Sequence, residues 1–146
     1  MIIGVTGHRS KRIKGQEEKI KIWFENSLKN LKTENNNLVL ISGMAQGVDQ
    51  IAAYAALKEG VDLWCYYPYK HRLWPEEEYL VDHAARIRYE SAEYHRSCYT
   101  QRDRRIVDDC DLLLVVWDGI KAGGTWYTYN YARGMKKDIL LYPWKK

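Results

Sequence analysis

The chain has 146 residues, of which 46% are apolar and 29% are charged, and its formal net charge is +4. This length favours one folded domain over residues 1–146. No apolar run approaches the ~20 residues that span a bilayer, and the mildly basic charge is below that of many nucleic-acid-binding domains.

The cysteines and the N-terminus indicate the compartment. Cys65, Cys98 and Cys110 have no paired spacing, which argues against a disulfide framework and against a zinc site. Residues 2–5 form an apolar, strand-like stretch rather than a signal peptide. We therefore expect a cytoplasmic protein with no membrane segment, no bound metal and no cofactor.

Apolar patterns in the first half of the chain alternate between strand-like and helix-like segments. They predict strands over residues 2–6, 38–42 and 61–67, and helices over residues 15–32 and 48–60. In the first helix, apolar side chains recur at intervals of three and four. We expect Pro68 to end the third strand, because proline cannot donate a backbone hydrogen bond.

The same alternation continues in the second half. Within residues 68–98 the pattern predicts one helix, which begins after Pro75 with three acidic residues that suit a helix N-terminus. The remaining predicted elements are a helix over residues 99–109, a strand over 112–117, a helix over 125–136 and a strand over 139–142. Short strands that are apolar on both faces and separated by helices predict an α/β fold. We expect a mostly parallel, five-stranded sheet with helices on both faces.

Ligands of such sheets bind outside the carboxyl ends of the strands, and polar or glycine-containing motifs follow four of the predicted strands. The candidate ligand-binding residues are Gly7, His8, Arg9, Ser42, Gly43, Met44, Ala45, Gly47, Asp49, Pro68, Tyr69, Trp117, Asp118, Gly123, Gly124 and Thr125, with Arg102 from the helix before the fourth strand. A glycine turn that leads into a helix offers free N–H groups and a positive dipole to an anion. The motifs therefore predict a phosphate-bearing ligand, such as a nucleotide or a derivative of one.

Individual residues allow more than one interpretation. The turn at residues 123–125 suits a phosphate, with Thr125 as a donor, or is a tight loop. Arg9 suits a bidentate phosphate contact or is a surface charge. Asp49 suits ribose hydroxyls, or it caps the helix that follows it or bonds loop amides. His8 binds the ligand or transfers a proton, or else satisfies a loop carbonyl.

Three motifs occur in order: Gly-His-Arg at residues 7–9, Ile-Ser-Gly-Met-Ala-Gln-Gly-Val-Asp at 41–49, and Gly-Gly-Thr at 123–125. Together they resemble the SLOG superfamily. The Cys-Tyr-Tyr-Pro segment at 65–68, Trp74 with Tyr79, and the helix segment at 102–107 are most similar to its YpsA-like branch. The resemblance implies a single Rossmann-like domain, a nucleotide pocket at the strand ends and self-association into a homo-oligomer.

Members of the superfamily differ in what the pocket does, so the fold does not fix the function. The resemblance implies three possibilities: cleavage of the N-glycosidic bond of nucleoside monophosphates as in LONELY GUY enzymes, single-stranded DNA binding as in DprA proteins, or sensing of cyclic ADP-ribose-type signals. The hydrolases carry Pro-Gly-Gly-x-Gly-Thr-x-x-Glu, whereas Thr128 stands here in place of the glutamate. A hydroxyl does not stabilise developing positive charge as a carboxylate does.

We therefore interpret the chain first as a binder of a nucleotide-derived ligand, with ADP-ribose, NAD-related molecules and cyclic nucleotides as candidates. Trp117, Trp126 or Tyr69 would stack on a base, and Arg9 or Arg102 would contact phosphate. Such a protein would be a sensor or a sequestering protein, including a phage protein that blunts host defence. The alternatives are an N-glycosidase or phosphoribohydrolase and single-stranded DNA binding, which the mild charge disfavours. For the hydrolase, Asp118 is the candidate catalytic residue, and Asp103, or residues 76–78 if their helix caps the pocket, are other carboxylates that could act.

Overall fold

The computed structural model describes residues 1–145, and strands and helices alternate along them. The strands are β1 (Ile2–Gly7), β2 (Val39–Ser42), β3 (Asp62–Tyr69), β4 (Arg86–Ser91), β5 (Leu112–Val116) and β6 (Asp138–Leu141). The helices are α1 (Glu17–Lys32), α2 (Val48–Lys58), α3 (Pro75–Asp82), α4 (Cys98–Asp109) and α5 (Gly124–Gly134), with a 3-10 helix at Ser10–Ile13.

The six strands form one sheet in the order β4-β3-β2-β1-β5-β6, and every neighbouring pair is parallel. The chain runs outward from β1 in one direction through β2, β3 and β4, and in the other through β5 and β6. The strand order therefore reverses between β1 and β5. The carboxyl ends of all six strands lie on one edge of the sheet, where the polar and glycine motifs were expected.

The predicted α/β fold with a parallel sheet is confirmed, but the expected number of five strands is wrong. The missed strand is β4, which has the sequence RIRYES and lies at the edge of the sheet. Charged side chains alternate with apolar ones along it, and none of its residues is fully buried. An edge strand of this kind lacks the continuous apolar run that marked the central strands.

The expectation that Pro68 ends the third strand is also wrong, because β3 continues to Tyr69. The register pairs between β2 and β3 end at Cys65, whereas those between β3 and β4 continue to Tyr69. Pro68 thus lies in a part of β3 that has a neighbouring strand on one side only. A residue without an N–H group is tolerated there as it is on an edge strand.

Helices cover both faces of the sheet, and adjacent strand residues point to opposite faces. Leu114 of β5 belongs to the core cluster beneath α1, α2 and α3, which includes Phe24 of α1. Leu113 belongs to the cluster beneath α4 and α5, which includes Ile106 of α4. All four side chains are at most 2% exposed. Burying each contributes roughly 2–3 kcal/mol of transfer free energy. Within residues 1–145, no helix combines the length and the apolar character needed to cross a membrane.

Close contact between β1 and α2 generates the first testable prediction. A Cβ atom at Gly7 would lie 2.3 Å from Cγ1 of Val48, the first residue of α2. We expect Gly7→Ala to lower the free energy of unfolding by about 1–3 kcal/mol through overpacking. Combining it with Val48→Ala removes Cγ1 and Cγ2 of Val48, at 2.3 and 2.7 Å from that Cβ position, but leaves its Cβ atom at 2.5 Å. The double variant should therefore lose less stability than the sum of the two single effects, while remaining less stable than the parent.

Urea unfolding of the four proteins measures this coupling. Gly134→Ala is the matched control, because a Cβ atom there meets no atom within 4 Å. Strictly additive effects of the Gly7 and Val48 substitutions would show that the two residues do not constrain each other.

Candidate functional site

A cleft of about 450 Å³ opens at the carboxyl ends of β2 and β3. The β2–α2 loop, the segment between β3 and α3, and the first turns of α3 and α4 surround it. Its lining residues are Arg9, Gly43, Met44, Ala45, Gln46, Gln50, Tyr67, Pro68, Tyr69, His71, Arg72, Trp74, Glu77, Tyr99 and Arg102. The cleft therefore lies on the sheet edge where the sequence predicted a pocket, but on the β2–β3 side of that edge.

The structure brings seven of the predicted site residues to this cleft and places the others outside its lining. The seven are Arg9, Gly43, Met44, Ala45, Pro68, Tyr69 and Arg102. Those outside are Gly7, His8, Ser42, Gly47, Asp49, Trp117, Asp118, Gly123, Gly124 and Thr125. The residues outside the cleft form four groups: a packed loop core, a charged cluster at the β1–β5 switch, an aromatic cluster packed against α5, and the open glycine turn before α5.

Glycines at the ends of β1 and β2 allow the protein to pack against itself. Gly47 has a φ of 111°, and a Cβ atom there would lie 2.6 Å from the backbone nitrogen of Ser10. Gly47 and Arg9 also form an isolated antiparallel bridge. A Cβ atom at Gly43 would lie 2.7 Å from Nη1 of Arg102. The space beside these glycines is thus filled by other residues of the chain.

The β2–α2 loop is held by hydrogen bonds among its own residues. The hydroxyl of Ser42, which is fully buried, donates to the carbonyl of Asp49 (2.7 Å) and accepts from the N–H of Met44 (3.1 Å). Met44 has a φ of 64°, which is uncommon for a residue other than glycine. Its side chain is 2% exposed and contributes to the core, so packing offsets the cost of this backbone conformation.

Asp49 points into this loop. Its Oδ2 atom accepts a 3.3 Å hydrogen bond from the N–H of Ala45 and lies 2.9 Å from the Cβ position of Gly43. Burial, which the nearby Arg102 partly opposes, raises the pKa of Asp49 to about 6. The carboxyl group thus supports the loop that lines the cleft, which corresponds to the loop-amide interpretation more closely than to helix capping or ribose binding.

Arg102 connects the ends of two strands. Its Nη1 atom donates to the carbonyls of Gly43 (2.6 Å) and Tyr66 (3.3 Å), while its Nε atom donates to Asp103 (2.8 Å). The side chain is almost entirely buried, and its guanidinium lies 5.8 Å from the ring centre of Tyr99. One face of the guanidinium thus forms part of the cleft while its N–H groups hold the β2–α2 loop against β3.

His8 and Asp118 meet at the switch between β1 and β5. The N–H of Asp118 donates to Nε2 of His8 (3.0 Å), and Arg12 forms an ion pair with the Asp118 carboxylate. Burial lowers the pKa of His8 although Asp118 opposes the shift, so the ring is a neutral acceptor. Burial opposes ionisation of Asp118, but the Ile120 N–H and Arg12 together keep its pKa below the usual value. Both groups hold the strand ends in position.

The glycine turn before α5 differs from the other glycine motifs because it faces open space. A Cβ atom at Gly124 would meet no atom within 4 Å, and one at Gly123 would meet only Nη1 of Arg12, at 3.6 Å. Gly123 has a φ of 92°, and Thr125 is 6% exposed. An anion that approached this helix N-terminus would therefore find no side chain in its way and one guanidinium beside it.

The position of the hydrolase glutamate is part of the helix interior. Thr128 is 2% exposed, and its hydroxyl donates to the carbonyl of Gly124 (2.9 Å). This is a bond within one turn of α5, so the side chain presents no polar group toward the strand ends.

Trp117 packs on the α5 side of the sheet rather than in the cleft. Its ring stacks on Trp126 with centres 5.2 Å apart and contacts Tyr129 at 5.0 Å. Its indole N–H donates to the carbonyl of Ile120 (2.8 Å). Of the three aromatic residues considered as base-stacking partners, Tyr69 is the one that the structure places in the cleft.

Sequence reasoning missed the side chains that come from β3–α3 and from α4. These are Tyr67, His71, Arg72, Trp74 and Tyr99, with Gln46 and Gln50 from the β2–α2 segment, whereas Glu77 was considered only as a possible catalytic carboxylate. A signal was present, since residues 66–74 read YYPYKHRLW and combine aromatic with basic side chains directly after a strand. Arg12 was also missed, because the 3-10 helix that turns it toward Asp118 has no apolar pattern.

A sequence model named the Circularly permutated YpsA SLOG family matches residues 40–145, which is well over half of the chain. None of the curated proteins matches the sequence.

Several solved structures share the fold. DprA from Streptococcus pneumoniae is 23% identical, with a TM-score of 0.71 over 98% of this chain and 50% of its own. DprA from Helicobacter pylori is 19% identical, with a TM-score of 0.75 over 99% of this chain and 66% of its own. The molybdenum cofactor carrier protein from Chlamydomonas reinhardtii is 18% identical, with a TM-score of 0.65 over 96% of this chain and 75% of its own. At these identities the likeness concerns the fold, and the chain spans only half of the pneumococcal protein.

The raised pKa of Asp49 generates a prediction about stability. Its folded-state value of about 6 exceeds the ordinary 3.8, so the folded protein holds this proton more tightly than the unfolded chain does. The resulting stabilisation is complete below pH 4 and is lost as the pH rises to 6. Asp49→Asn keeps the acceptor for Ala45 but does not titrate. Between pH 4 and 6.5, the free energy of unfolding of the variant should therefore rise by up to about 3 kcal/mol relative to that of the parent.

Urea unfolding of both proteins at half-unit pH steps measures this difference. Asp62→Asn, at an exposed carboxyl at the start of β3, is the control. Its free energy of unfolding should vary with pH as that of the parent does. If the Asp49→Asn profile also ran parallel, the folded-state proton affinity assigned to Asp49 would be wrong.

Proposed function

This chain belongs to the Circularly permutated YpsA SLOG family, as its motifs predicted, and we propose that it binds a nucleotide-derived ligand at the carboxyl ends of its strands. The observation that carries the proposal is the cleft over β2 and β3, which combines aromatic walls with cationic side chains. We further propose that residues 1–146 act as one nucleotide-binding unit that requires no resident cofactor.

The charges around the cleft favour an anion. Arg9, Arg72 and Arg102 line it, whereas Glu77 is the one carboxylate among its lining residues. Among residues 1–145, neither Arg9 nor Arg72 has an acidic partner within 4.0 Å. Guanidinium groups that no carboxylate neutralises attract anions and bind phosphate oxygens in bidentate fashion.

The open turn at Gly123-Gly124 supports a second anionic contact along the same edge. Neighbouring strands lie ~4.8 Å apart, so the turn after β5 and the cleft over β2 and β3 are separated by roughly 10–15 Å. A ligand that reaches both places must be elongated, like a nucleoside diphosphate or a dinucleotide. This separation favours ADP-ribose or NAD-related molecules among the candidates, with cyclic nucleotides as a further class.

Binding is favoured over hydrolysis by two side chains. Thr128, in place of the hydrolase glutamate, is buried and bonded within α5. Asp118, the candidate catalytic residue, is already paired with Arg12 and held by the Ile120 N–H. An N-glycosidase or phosphoribohydrolase is the alternative, and it would need a carboxylate that is free to act on the sugar.

A cytoplasmic, homo-oligomeric sensor or sequestering protein for a signalling nucleotide is the role we propose. A phage protein that removes such a signal from a host defence system is one form of it. The half-exposed aromatic residues Tyr54 and Tyr79, whose rings stack 6.0 Å apart, are suitable contacts for self-association.

A thermal-shift screen tests the proposed function. Mononucleotides, NAD, ADP-ribose and cyclic dinucleotides are added separately, and each hit is examined by mass spectrometry after incubation. We expect at least one compound to raise the melting temperature and to be recovered unchanged, because binding to the folded state alone stabilises it. A new product would establish the hydrolase alternative, and no shift with any nucleotide would contradict both.

Two glycine substitutions on α5 separate ligand binding from folding. Gly124→Val places a side chain in the open space at the helix N-terminus, whereas Gly134→Val places the same side chain in open space at the other end of α5. We expect Gly124→Val to weaken binding of the screened nucleotide at least tenfold. Calorimetric titration should give parental affinity for Gly134→Val. Equal affinities of the two variants would remove the turn from the binding site.

Single-stranded nucleic acid is a second candidate ligand, because cations lie over aromatic rings on the surface of α4 and α5. The pairs, at 5.3–5.9 Å, are Arg104 with Tyr127 and Tyr131, Lys121 with Trp126, and Arg133 with Tyr129. Stacking platforms beside cations bind single strands, and the Helicobacter pylori neighbour is described by its single-stranded DNA binding mode.

Fluorescence anisotropy with a labelled oligonucleotide tests this candidate. If the α4–α5 surface binds DNA, affinity should fall steeply with salt, and Trp126→Ala should weaken it several-fold while leaving mononucleotide binding intact. Absence of binding at low salt would exclude the candidate.

A further inference from the structure

Aromatic side chains flank the cleft and remain exposed. Trp74, before α3, is 66% exposed, and Tyr99, in the first turn of α4, is 39% exposed. Tyr69 meets Tyr99 edge-on, with ring centres 6.3 Å apart, and the guanidinium of Arg102 lies beneath Tyr99. Large rings that border a cleft in this way offer flat apolar surface to a planar ligand group.

Glu77 lies in the same cleft as a buried carboxylate without a cationic partner. The side chain is 5% exposed, and among residues 1–145 no basic group lies within 4.0 Å of it. Oε2 accepts a good hydrogen bond from the N–H of Trp74 (2.8 Å), but the bond to Oε1 from the hydroxyl of Tyr67 is long (3.4 Å). A buried charge normally has stronger partners than these, so Oε1 has capacity for a further donor.

Two neighbouring amides add acceptors to this wall. Gln46 uses its Nε2 atom to donate to Glu76 (2.8 Å), and Gln50 uses its own to donate to the carbonyl of Met44 (3.1 Å). No donor among the described residues bonds to either amide oxygen. The lining between the β2–α2 loop and α3 thus contains several acceptors.

We propose that Glu77 is a specificity-determining residue that accepts hydrogen bonds from the amino-bearing edge of a heterocyclic ring stacked on Tyr99. This inference rests on the proposed function and narrows the ligand class, because an acceptor-only carboxylate favours rings with amino or N–H donors. A ring that presents a carbonyl oxygen at the same position would place two acceptors face to face, leaving the buried carboxylate unsatisfied.

Matched nucleotide pairs isolate the amino group. GMP and IMP differ only in the 2-amino group, and AMP and CMP carry an amino group where IMP and UMP carry an oxygen. Calorimetric titration at constant salt should show the amino-bearing member of at least one pair binding about tenfold more tightly. A hydrogen bond to a buried charge has a strength of that order.

Glu77→Gln tests the assignment without removing the cap of α3. Glutamine also accepts from the Trp74 N–H at this helix position, but its amide replaces one carboxylate oxygen by a donor. We expect the variant to bind the preferred nucleotide about tenfold more weakly and its partner equally well or better, so that the preference collapses. Glu78→Gln, which removes the same charge from an exposed position on α3, should retain the parental preference.

Substitutions at Tyr99 test whether the heterocyclic ring stacks on this side chain. Tyr99→Leu should weaken every nucleotide by a similar factor of about five or more, whereas Tyr99→Phe should remain close to the parent. The outcomes distinguish the role of Glu77 from nucleotide binding itself. Nucleotides that bind without an amino preference, or a Glu77→Gln variant that weakens all of them equally, would overturn the role of Glu77 while the proposed function stands. Failure of every nucleotide to bind would overturn both.

Discussion

The close approach of the loops that follow β1 and β2 is the constraint on which the site depends. Gly7 contacts Val48 where β1 meets α2, and Gly47 contacts the backbone of the loop after β1, so neither position has room for a Cβ atom. This contact fixes the start of α2 and directs Arg9 toward the cleft. Because the loops touch each other, the space for a ligand is displaced toward β3 on one side and toward the open turn of α5 on the other.

A second constraint is electrostatic. Arg102 holds the end of β2 to the end of β3 through two backbone carbonyls, and carboxyl groups of Asp49 and Asp103 lie near its guanidinium. At the switch between β1 and β5, Arg12, His8 and Asp118 form an equivalent connection. Two of the conspicuous polar residues of the motifs, His8 and Asp118, are therefore occupied in shaping the edge of the sheet. Arg9 and Arg72, which have no carboxylate partner among residues 1–145, lie around the cleft, which explains why the proposed ligand is an anion.

The sequence predicted the fold wherever burial controls the pattern. Central strands such as β5 are apolar on both faces and were located to within a residue or two, and the helix stripes were equally clear. The edge strand β4 was missed because charged and apolar side chains alternate in it. The expected end of β3 at Pro68 was wrong because a proline is tolerated in the part of β3 that β2 no longer pairs with. The cleft lies at the edge of the sheet where the motifs were expected, since motif position follows from parallel topology. Side-chain partners could not be read from sequence, because Ser42, Asp49 and His8 have the same chemistry whether they bind a ligand or a neighbouring loop.

The glycine motifs show how this ambiguity is resolved. A glycine indicates only that a side chain is excluded, and the physical question is what excludes it. At Gly7, Gly43 and Gly47 another part of the chain occupies the Cβ position, whereas at Gly124 nothing does. The first three glycines are therefore explained by packing alone, whereas packing does not explain the last, which is why the proposed binding site includes its turn. The motifs at the ends of β1 and β2 thus describe how this edge of the sheet is built. The proposed ligand specificity depends instead on the segment from β3 to α4, whose aromatic and acidic side chains line the cleft.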